Sequence, residues 1–429
     1  PPAAAHDHPA MAAAVSAWSQ AGKPESAFRF RVAGEHWWGG FHSYPLGDNI
    51  FRIGVVVPEQ DFLGDVVRQR NITLVVSLVA LAAALVMALA MARTYGQPLE
   101  ALADSSRRIR SLDLDEHAPV ESALAEVTQL AEAQRQMLST LQSFAKYVPM
   151  EVVRELLHRG EVAQIGGTSE ALTILFTDIS GFTTIAEALG PEALTDHMAD
   201  YFHEALSVLE RHEATVDKLI GDAIVAFWGA PRPDAAHADH ALAAVLEIQQ
   251  QLAACNARWR QQGLPELHTR FGLATGRVIV GNVGARSRLS YTVLGDTVNL
   301  AARLEGINKF YGTDVLVSEE VKQAVTTPLD WRLVDLVAVK GKRQGKRIYE
   351  PLGLAGQTER RRLDFARRYE LAWAVYQNRQ FGEALAMIES LQREWPDDAS
   401  LTRLRQICAE YQQQPPPEDW DGVARMATK

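Results

Sequence analysis

Two aspartates beside glycine-containing turns are the residues of this sequence best suited to metal chemistry. Asp178 follows an apolar segment, residues 172–176, that is typical of a β-strand, within the run FTDISGFT. Asp222 lies in a Gly-Asp pair between two apolar segments, within the run KLIGDAIVAFWGAP. Carboxylates at strand ends, near glycines that let phosphate approach the backbone, suit a pair of hard divalent cations on a nucleotide. Either run alone is better explained by an ordinary turn, and only the two together favour a metal site.

A second polar pair lies on a predicted helix farther along the chain. Residues 270–284 are predicted as strand, turn and strand, and residues 287–306 as a strand that leads into a helix. One apolar stripe of this helix consists of Val298, Ala301, Ala302 and Leu304. Asn299 and Arg303, four residues apart, share a different face and project together. From spacing alone, a solvated helix face is the better explanation of this pair.

The four strings together resemble the class III nucleotidyl cyclase family over residues 146–353. The resemblance implies an α+β fold with a ferredoxin-like (βαββαβ) catalytic domain. It also implies that Asp178 and Asp222 bind two Mg²⁺ ions per site, with Mn²⁺ as an alternative, and that the backbone carbonyl of Ile179 is a further ligand. The ions would bridge the phosphates of ATP. Asn299 corresponds to the residue that orients the ribose, and Arg303 to the one that stabilises charge on the α-phosphate.

Base selection is implied by two further positions. Lys218, four residues before Asp222, corresponds to the family's purine-reading lysine, and Thr292 to its partner. Guanylate cyclases of the family usually carry glutamate and cysteine at these places. A lysine donates hydrogen bonds whereas a glutamate accepts them, so the lysine–threonine pair favours ATP. Threonine in place of the commoner aspartate resembles the threonine-type adenylate cyclase branch.

Phosphate contacts are implied for the basic run VKGKRQGKR, which precedes a short predicted strand at residues 348–349. Its counterpart in the family carries a lysine that reaches the terminal phosphates, so either Lys340 or Lys342 could serve. A run of this density is more often a solvated loop. Arg286 and Arg288 lie in a glycine-rich loop that precedes the basic run, and they are as compatible with a solvent-facing role as with phosphate binding.

Subunit organisation is also implied by the resemblance. The expectation is that the metal aspartates and Lys218 come from one subunit, and Asn299, Arg303 and Thr292 from the other. Since both sets occur in one chain, a homodimer with two equivalent sites follows, and closed two-fold symmetry is the commonest oligomeric arrangement.

A membrane helix is predicted at residues 71–93, because 22 uncharged residues separate Arg70 from Arg93. At about 1.5 Å per residue they span the roughly 30 Å hydrocarbon core of a bilayer. Basic residues on the two sides differ little in number, so the use of ATP decides the orientation and places the C-terminal side in the cytoplasm, at a bacterial inner (plasma) membrane.

Flanking segments suggest a receptor. Residues 1–70, with strands and turns over residues 28–63, resemble the C-terminal remnant of an extracytoplasmic Cache-like sensor for an unknown ligand. Residues 94–145 resemble a HAMP relay: a helix with Leu102, Ile109 and Leu112 on one stripe, a connector, and a second helix predicted as a parallel coiled coil. The heptad seam of that second helix is Val120, Leu124, Val127, Ala131, Gln134, Leu138, Leu141, Ala145 and Val148.

The C-terminal part is predicted as a helical, tetratricopeptide-like segment at residues 360–412, which would cap the catalytic domain or bind a partner, followed by a flexible tail at residues 413–429. The net charge of −10 argues against nucleic-acid binding. The alternatives that remain are a guanylate cyclase and a catalytically silent cyclase-like scaffold, although no aspartate, asparagine or arginine of the pattern has been lost.

Overall fold

The computed structural model describes residues 8–115, 120, 122, 124–160, 163–338 and 345–425 of the chain. It contains two compact units, Pro1–Ser139 and Thr140–Lys429. The candidate active-site residues all fall in the second unit.

The first unit begins with a small antiparallel sheet packed on a helix. Its elements are α1 (Pro9–Gln20), β1 (Phe28–Val32), β2 (Glu35–Leu46) and β3 (Asn49–Pro58), with strand order β1-β2-β3. Trp18 of α1 packs on Phe41 of β2, with ring centroids 5.0 Å apart, and both are buried. The predicted strands are therefore present, and α1 is an addition that the sequence pattern did not indicate.

A long helical segment follows β3. It comprises α2 (Glu59–Met91), a π-helical segment (Ala92–Gly96) and α3 (Gln97–Arg110). Within the described residues, one helix, Leu63–Arg110, is long and apolar enough to cross a membrane by length and composition, and none of its most apolar window is buried in the protein. The apolar segment predicted at residues 71–93 lies inside this helical stretch.

The next helix, α4 (Ala125–Ala145), carries most of the predicted heptad seam. Val127 and Leu138 of that seam are buried. The Gln134 amide donates to Ser106 Oγ of α3 at 3.2 Å, so the two helices contact each other. The helix is shorter than the seam, because Val120 and Leu124 precede it and Val148 follows it.

The second unit is built on a nine-stranded sheet. Its elements before the C-terminal helices are α5 (Met150–Arg159), β4 (Gly166–Ile179), α6 (Phe182–Ala188), α7 (Pro191–Arg211), β5 (Thr215–Ile220), β6 (Ala223–Trp228), α8 (His237–Gln261), β7 (Thr269–Ala285), β8 (Arg288–Leu294), α9 (Asp296–Tyr311), β9 (Val315–Ser318), α10 (Glu319–Ala324), β10 (Leu329–Ala338) and β11 (Gly345–Leu354).

The predicted α+β, ferredoxin-like core is confirmed. The chain runs β4, α7, β5, β6, α8, β7, and these strands lie in the order β7-β4-β6-β5 with antiparallel pairing. Alternate residues of β4 face opposite sides of the sheet, as strand geometry requires. Leu175 packs in the cluster that contains residues of α7 and α8, whereas Ile174 packs in the cluster that contains residues of α9.

One prediction about this core is wrong. Residues 270–284 do not form strand, turn and strand, because β7 is a single strand of 17 residues. Gly276, within this strand, allows close packing: a Cβ atom there would lie 2.6 Å from Thr297 Oγ1 of α9. The glycine thus marks where a helix crosses the strand.

The C-terminal helices pack on the same core. They are α11 (Arg360–Gln377), α12 (Phe381–Glu394) and α13 (Ala399–Gln413). Buried side chains of all three belong to the cluster that also contains residues of α7 and α8. The helices predicted at residues 360–412 are therefore present, and they extend the catalytic core rather than standing apart from it.

The prediction of a flexible end from residue 413 is contradicted for residues up to 425. Trp420 packs against Tyr376, Phe381 and Tyr411, with ring centroids 5.3–5.7 Å apart. The Arg379 guanidinium donates to the carbonyls of residues 416–418. A short strand, β12 (Ala424–Arg425), then pairs with β10.

Candidate active site

The two predicted metal aspartates lie at the ends of neighbouring strands. Asp178 is the penultimate residue of β4, and Asp222 occupies the two-residue hairpin between β5 and β6, where Ile220 pairs with Ala223. Gly221 begins this hairpin with φ of 65°, a conformation that glycine adopts without strain. The Ile179 backbone N–H donates to Asp222 Oδ2 at 2.9 Å, so the end of β4 and the hairpin are directly connected.

Repulsion between carboxylates marks this place in the absence of a cation. Burial, and then the negative charge of Asp222, raise the pKa of the Asp178 carboxyl above its ordinary value. Arg270 and Lys309 oppose the shift. A half-buried carboxyl whose ionisation is disfavoured by burial and by a neighbouring carboxylate is a ready site for positive charge.

A third carboxyl, Glu305 of α9, shares this electrostatic environment. Burial, and then the charge of Asp178, raise the pKa of Glu305 to about 7. Its Oε1 atom is buried and has no hydrogen-bond partner among the described residues. Glu305 lies close to the sheet because Gly272 of β7 has no side chain: a Cβ there would be 2.2 Å from the Glu305 backbone nitrogen.

The donor set fits a small divalent cation that also binds a nucleotide. The resemblance to class III cyclases implies divalent metal ions, and Mg²⁺ binds through one or two carboxylates while substrate phosphates and water complete its shell. Among the described residues, no group of three or more His, Cys, Asp and Glu side chains could hold a metal ion without such help. Asp178 and Asp222 would hold the ion together with the substrate, and the carbonyl of Ile179 remains a prediction.

The two predicted purine-reading residues meet within one chain. Lys218 Nζ lies 3.4 Å from Thr292 Oγ1, which shows that β5 and β8 bring them together. The prediction that Lys218 and Thr292 come from different subunits is therefore wrong. The family resemblance implied that assignment, but the long hairpin of β7 and β8 returns Thr292 to β5.

A buried aspartate holds this pair. Thr292 Oγ1 donates to Asp217 Oδ2 at 2.5 Å, and Lys218 Nζ lies 3.4 Å from Asp217 Oδ1. The Asp217 side chain is 4% exposed, whereas the Lys218 side chain is 46% exposed. Burial raises the pKa of the Asp217 carboxyl, while the hydrogen bond from Thr292 and the charge of Lys218 lower it.

Asn299 and Arg303 lie on the first turns of α9. Asn299 is exposed and Arg303 is half-buried. Within the part of the chain that the structure describes, neither side chain forms a hydrogen bond or ion pair, so both are available to a ligand. The helix buries Leu300, Ala301 and Leu304, which confirms the apolar stripe in part and adds Leu300 to it.

The remaining basic candidates are less informative. Lys340 and Lys342 lie outside the described residues. Arg286 and Arg288 are exposed at the hairpin between β7 and β8.

Two residues near the predicted site were missed by sequence reasoning. Asp217 precedes Lys218, and strand alternation directs the side chains of neighbouring residues to opposite faces, so no local pattern links it to Thr292. Glu305 is two residues after Arg303, but its burial depends on contact with Gly272 across the sheet. Both signals arise from tertiary structure.

Comparison with known proteins identifies the central domain. Residues 166–350 match the family described as "Adenylate and Guanylate cyclase catalytic domain". "Adenylate cyclase 1" of Rhizobium meliloti (strain 1021) is 37% identical over 303 residues, which cover 71% of this chain and 46% of that protein. "Adenylate cyclase" of Anabaena cylindrica is 33% identical over 300 residues, which cover 65% of this chain and 59% of that protein.

The chain thus spans about half the length of these relatives. Among solved structures, the adenylyl cyclase CyaB from P. aeruginosa is 31% identical, with 46% of this chain and 100% of that chain covered and a TM-score of 0.42.

Proposed function

Because residues 166–350 belong to the adenylate and guanylate cyclase catalytic-domain family, we propose that this protein is an adenylate cyclase that converts ATP to 3′,5′-cyclic AMP and pyrophosphate. The observation that carries the proposal is the pair Asp178 and Asp222, held together at adjoining strand ends by the Ile179 N–H. The meeting of Lys218 with Thr292 favours ATP over GTP.

The chemistry is an in-line displacement. The ribose 3′-hydroxyl loses its proton to water, and its oxygen bonds to the α-phosphorus. The bond from the α-phosphorus to the bridging oxygen breaks, and pyrophosphate leaves with that oxygen. Bound divalent cations supply a lowered pKa for the 3′-hydroxyl and positive charge for the departing pyrophosphate. Asp178 and Asp222 would bind the cations that accompany the triphosphate. Asn299 orients the ribose, and Arg303 stabilises negative charge on the α-phosphate, a role whose loss typically lowers the rate about 10²–10³-fold.

The active form in this proposal is a homodimer with shared sites. Exposed apolar side chains surround the purine-reading pair: Leu219, Ile220, Ile279 and Leu294 are 45–56% exposed. Leu219 and Ile220 directly follow Lys218, and Leu294 follows Thr292 by two residues. A second chain would cover this surface. One chain would supply Asp178 and Asp222, and its partner Lys218, Thr292, Asn299 and Arg303.

Membrane attachment and regulation complete the proposal. The apolar, exposed helix after β3 supports an anchor that places Thr140–Lys429 in the bacterial cytoplasm. The α3–α4 contact through Gln134 supports a HAMP-like relay, and the sheet of β1–β3 a sensor remnant. Relay helices that reposition two catalytic domains would open or close both shared sites together.

The experiment that tests the metal assignment compares Asp178→Asn and Asp222→Asn with Asp234→Asn. Asp234 is a matched control, since its carboxylate also accepts hydrogen bonds, from Ala236 N and His240, but lies outside the proposed site. The first two variants should lose turnover of ATP and the binding of Mn²⁺ measured by calorimetry with a non-cyclising nucleotide. Wild-type turnover in either variant would contradict the assignment.

A further inference from the structure

We propose that Asp217 is a positioning residue that makes the site selective for adenine by fixing the direction of the Thr292 hydroxyl proton. This inference rests on the proposed function, since it concerns which base the same site accepts. Threonine alone does not explain selectivity, because a hydroxyl can donate or accept a hydrogen bond and could adapt to either purine.

The backbone of β5 is irregular at Asp217. In a regular strand the side chains of Asp217 and Lys218 would point to opposite faces. The pairing of β5 with β6 is irregular here: Val216 pairs with Ala226 and Lys218 with Val225, so Asp217 is the extra residue of a β-bulge. A bulge re-aims side chains, and this one lets two consecutive residues reach the same hydroxyl.

The hydroxyl proton of Thr292 is directed at Asp217. Thr292 Oγ1 and Asp217 Oδ2 are 2.5 Å apart, a distance typical of a hydroxyl that donates to a carboxylate. A hydroxyl has one proton and two lone pairs. With its proton committed to Asp217, Thr292 presents only lone pairs to a ligand. The Lys218 ammonium group, 3.4 Å from the hydroxyl oxygen, is a donor and cannot accept the Thr292 proton in place of Asp217.

Adenine and guanine differ in the hydrogen-bonding groups that they would present to Thr292 and Lys218. Adenine presents an amino group at C6 and an acceptor at N1, which complement an accepting Thr292 and a donating Lys218. Guanine presents a carbonyl at C6 and an N–H at N1. The carbonyl would face the accepting oxygen of Thr292, and the N–H would face the donating ammonium group of Lys218. Leaving buried polar groups unpaired in this way is what allows a site to reject a similar substrate strongly.

Burial of Thr292 and Asp217 restricts the direction of the hydroxyl. The Thr292 residue is 7% exposed, and the Asp217 side chain is 4% exposed. Lys218, whose side chain is 46% exposed, contacts the other carboxylate oxygen of Asp217. Water therefore has little access to reorient the hydroxyl, and the exposed ammonium group stays free to meet a base. The two carboxylate oxygens thus have separate partners, one for each base-reading residue.

The test is the Asp217→Asn variant of the full chain. The ammonium group of Lys218 should attract the amide oxygen, which turns the amide NH₂ toward Thr292. The hydroxyl would then accept from the amide, and its proton would be free to donate to guanine. We expect the ratio of kcat/KM for ATP to that for GTP to fall about tenfold or more. Asp234→Asn is the matched control and should leave this ratio unchanged.

A second readout does not depend on turnover. 3′-Deoxy-ATP and 3′-deoxy-GTP lack the attacking hydroxyl, so the ratio of their Kd values reports base selection alone. D217N should lower this preference, but it should have no further effect in a Thr292→Val background, where the hydroxyl is absent. A merely structural role for Asp217 would weaken the binding of both nucleotides equally and leave the ratio intact.

The outcomes separate the two proposals. If the wild-type protein forms no cyclic product, the proposed function fails, while the Kd ratios still test Asp217. A folded D217N protein with wild-type ratios overturns the inference. If D217N does not fold, Thr292→Val removes the same acceptor without touching the carboxylate, and an unchanged preference for adenine in that variant overturns it as well.

Discussion

Replacement of Arg332 should show how strongly the C-terminal helices are fixed to the catalytic sheet. Arg332 lies on β10, and its side chain is 5% exposed. It pairs with Glu350 of β11 at 2.7 Å and with Asp398 at 2.7 Å. Asp398 also caps α13, because its side chain accepts from the Leu401 N–H at 2.9 Å. One guanidinium thus joins a sheet strand to the start of the last helix.

The expected magnitude follows from burial. Burial lowers the pKa of Arg332, but Glu350 and Asp398 outweigh it and hold the pKa above its ordinary value. Arg332→Met keeps most of the apolar stem and removes the guanidinium, whose central carbon lies 5.4 Å from the Phe365 ring centroid and 5.7 Å from that of Tyr369. Asp398, 15% exposed, then loses its cation, while Glu350, 17% exposed, keeps only the more distant Arg362 at 3.9 Å. Breaking a buried pair in this way costs about 3–5 kcal/mol.

The assay is urea unfolding of Thr140–Lys429, followed by tryptophan fluorescence, with Arg260→Met as the matched control. Arg260 pairs with Glu266 at 2.6 Å, but its side chain is 67% exposed, so its loss should cost about 0–1 kcal/mol. Equal losses for the two variants would refute the argument that burial decides the energy. A loss below 1 kcal/mol for Arg332→Met would show that the C-terminal helices are not held by this pair.

Three further predictions concern the candidate site. Glu305 has a pKa of about 7 in the folded state against 4.5 in the unfolded state. Its contribution to the free energy of unfolding should therefore be fully present below pH 4.5 and fall as pH rises toward 7. Because Glu305 is partly exposed, the loss should be about 1–2 kcal/mol, and Glu305→Gln should flatten the pH dependence of thermal unfolding measured in EDTA. Gly272→Ala places a Cβ atom 2.3 Å from the Ala301 carbonyl and should destabilise by about 3 kcal/mol, whereas Gly306→Ala, with open space around it, should not; equal melting temperatures would contradict the packing. Mixing inactive Asp178→Asn with inactive Arg303→Ala should restore about a quarter of wild-type turnover, and no recovery after verified subunit exchange would argue against shared sites.

Local sequence patterns were sufficient for the parts of the site that depend on a single element. The apolar run of β4 ends at Asp178 as predicted, and Gly221-Asp222 forms a two-residue hairpin because its glycine takes positive φ. Asn299 and Arg303 lie on one helix as their spacing indicates. Each of these features is encoded within a few consecutive residues.

Features that join distant segments could not be predicted. The bulge at Asp217 breaks the alternation on which strand patterns depend, and so hides a buried carboxylate next to Lys218. The meeting of Lys218 with Thr292 depends on the pairing of β8 with β7, which brings Thr292 back to β5 and which no spacing reveals. The turn predicted within residues 270–284 does not form, because a glycine that permits close packing, such as Gly276, has the same sequence signature as one that permits a bend.

The most direct test of the account is product formation by Thr140–Lys429, with ATP or GTP as substrate and Mg²⁺ or Mn²⁺ present. The account predicts cyclic AMP from ATP, dependence on the divalent ion, and little cyclic product from GTP. Equal use of GTP would contradict base selection by Lys218, Thr292 and Asp217. No cyclic product from either nucleotide, in protein shown to be dimeric and folded, would contradict the proposed adenylate cyclase activity of this unit.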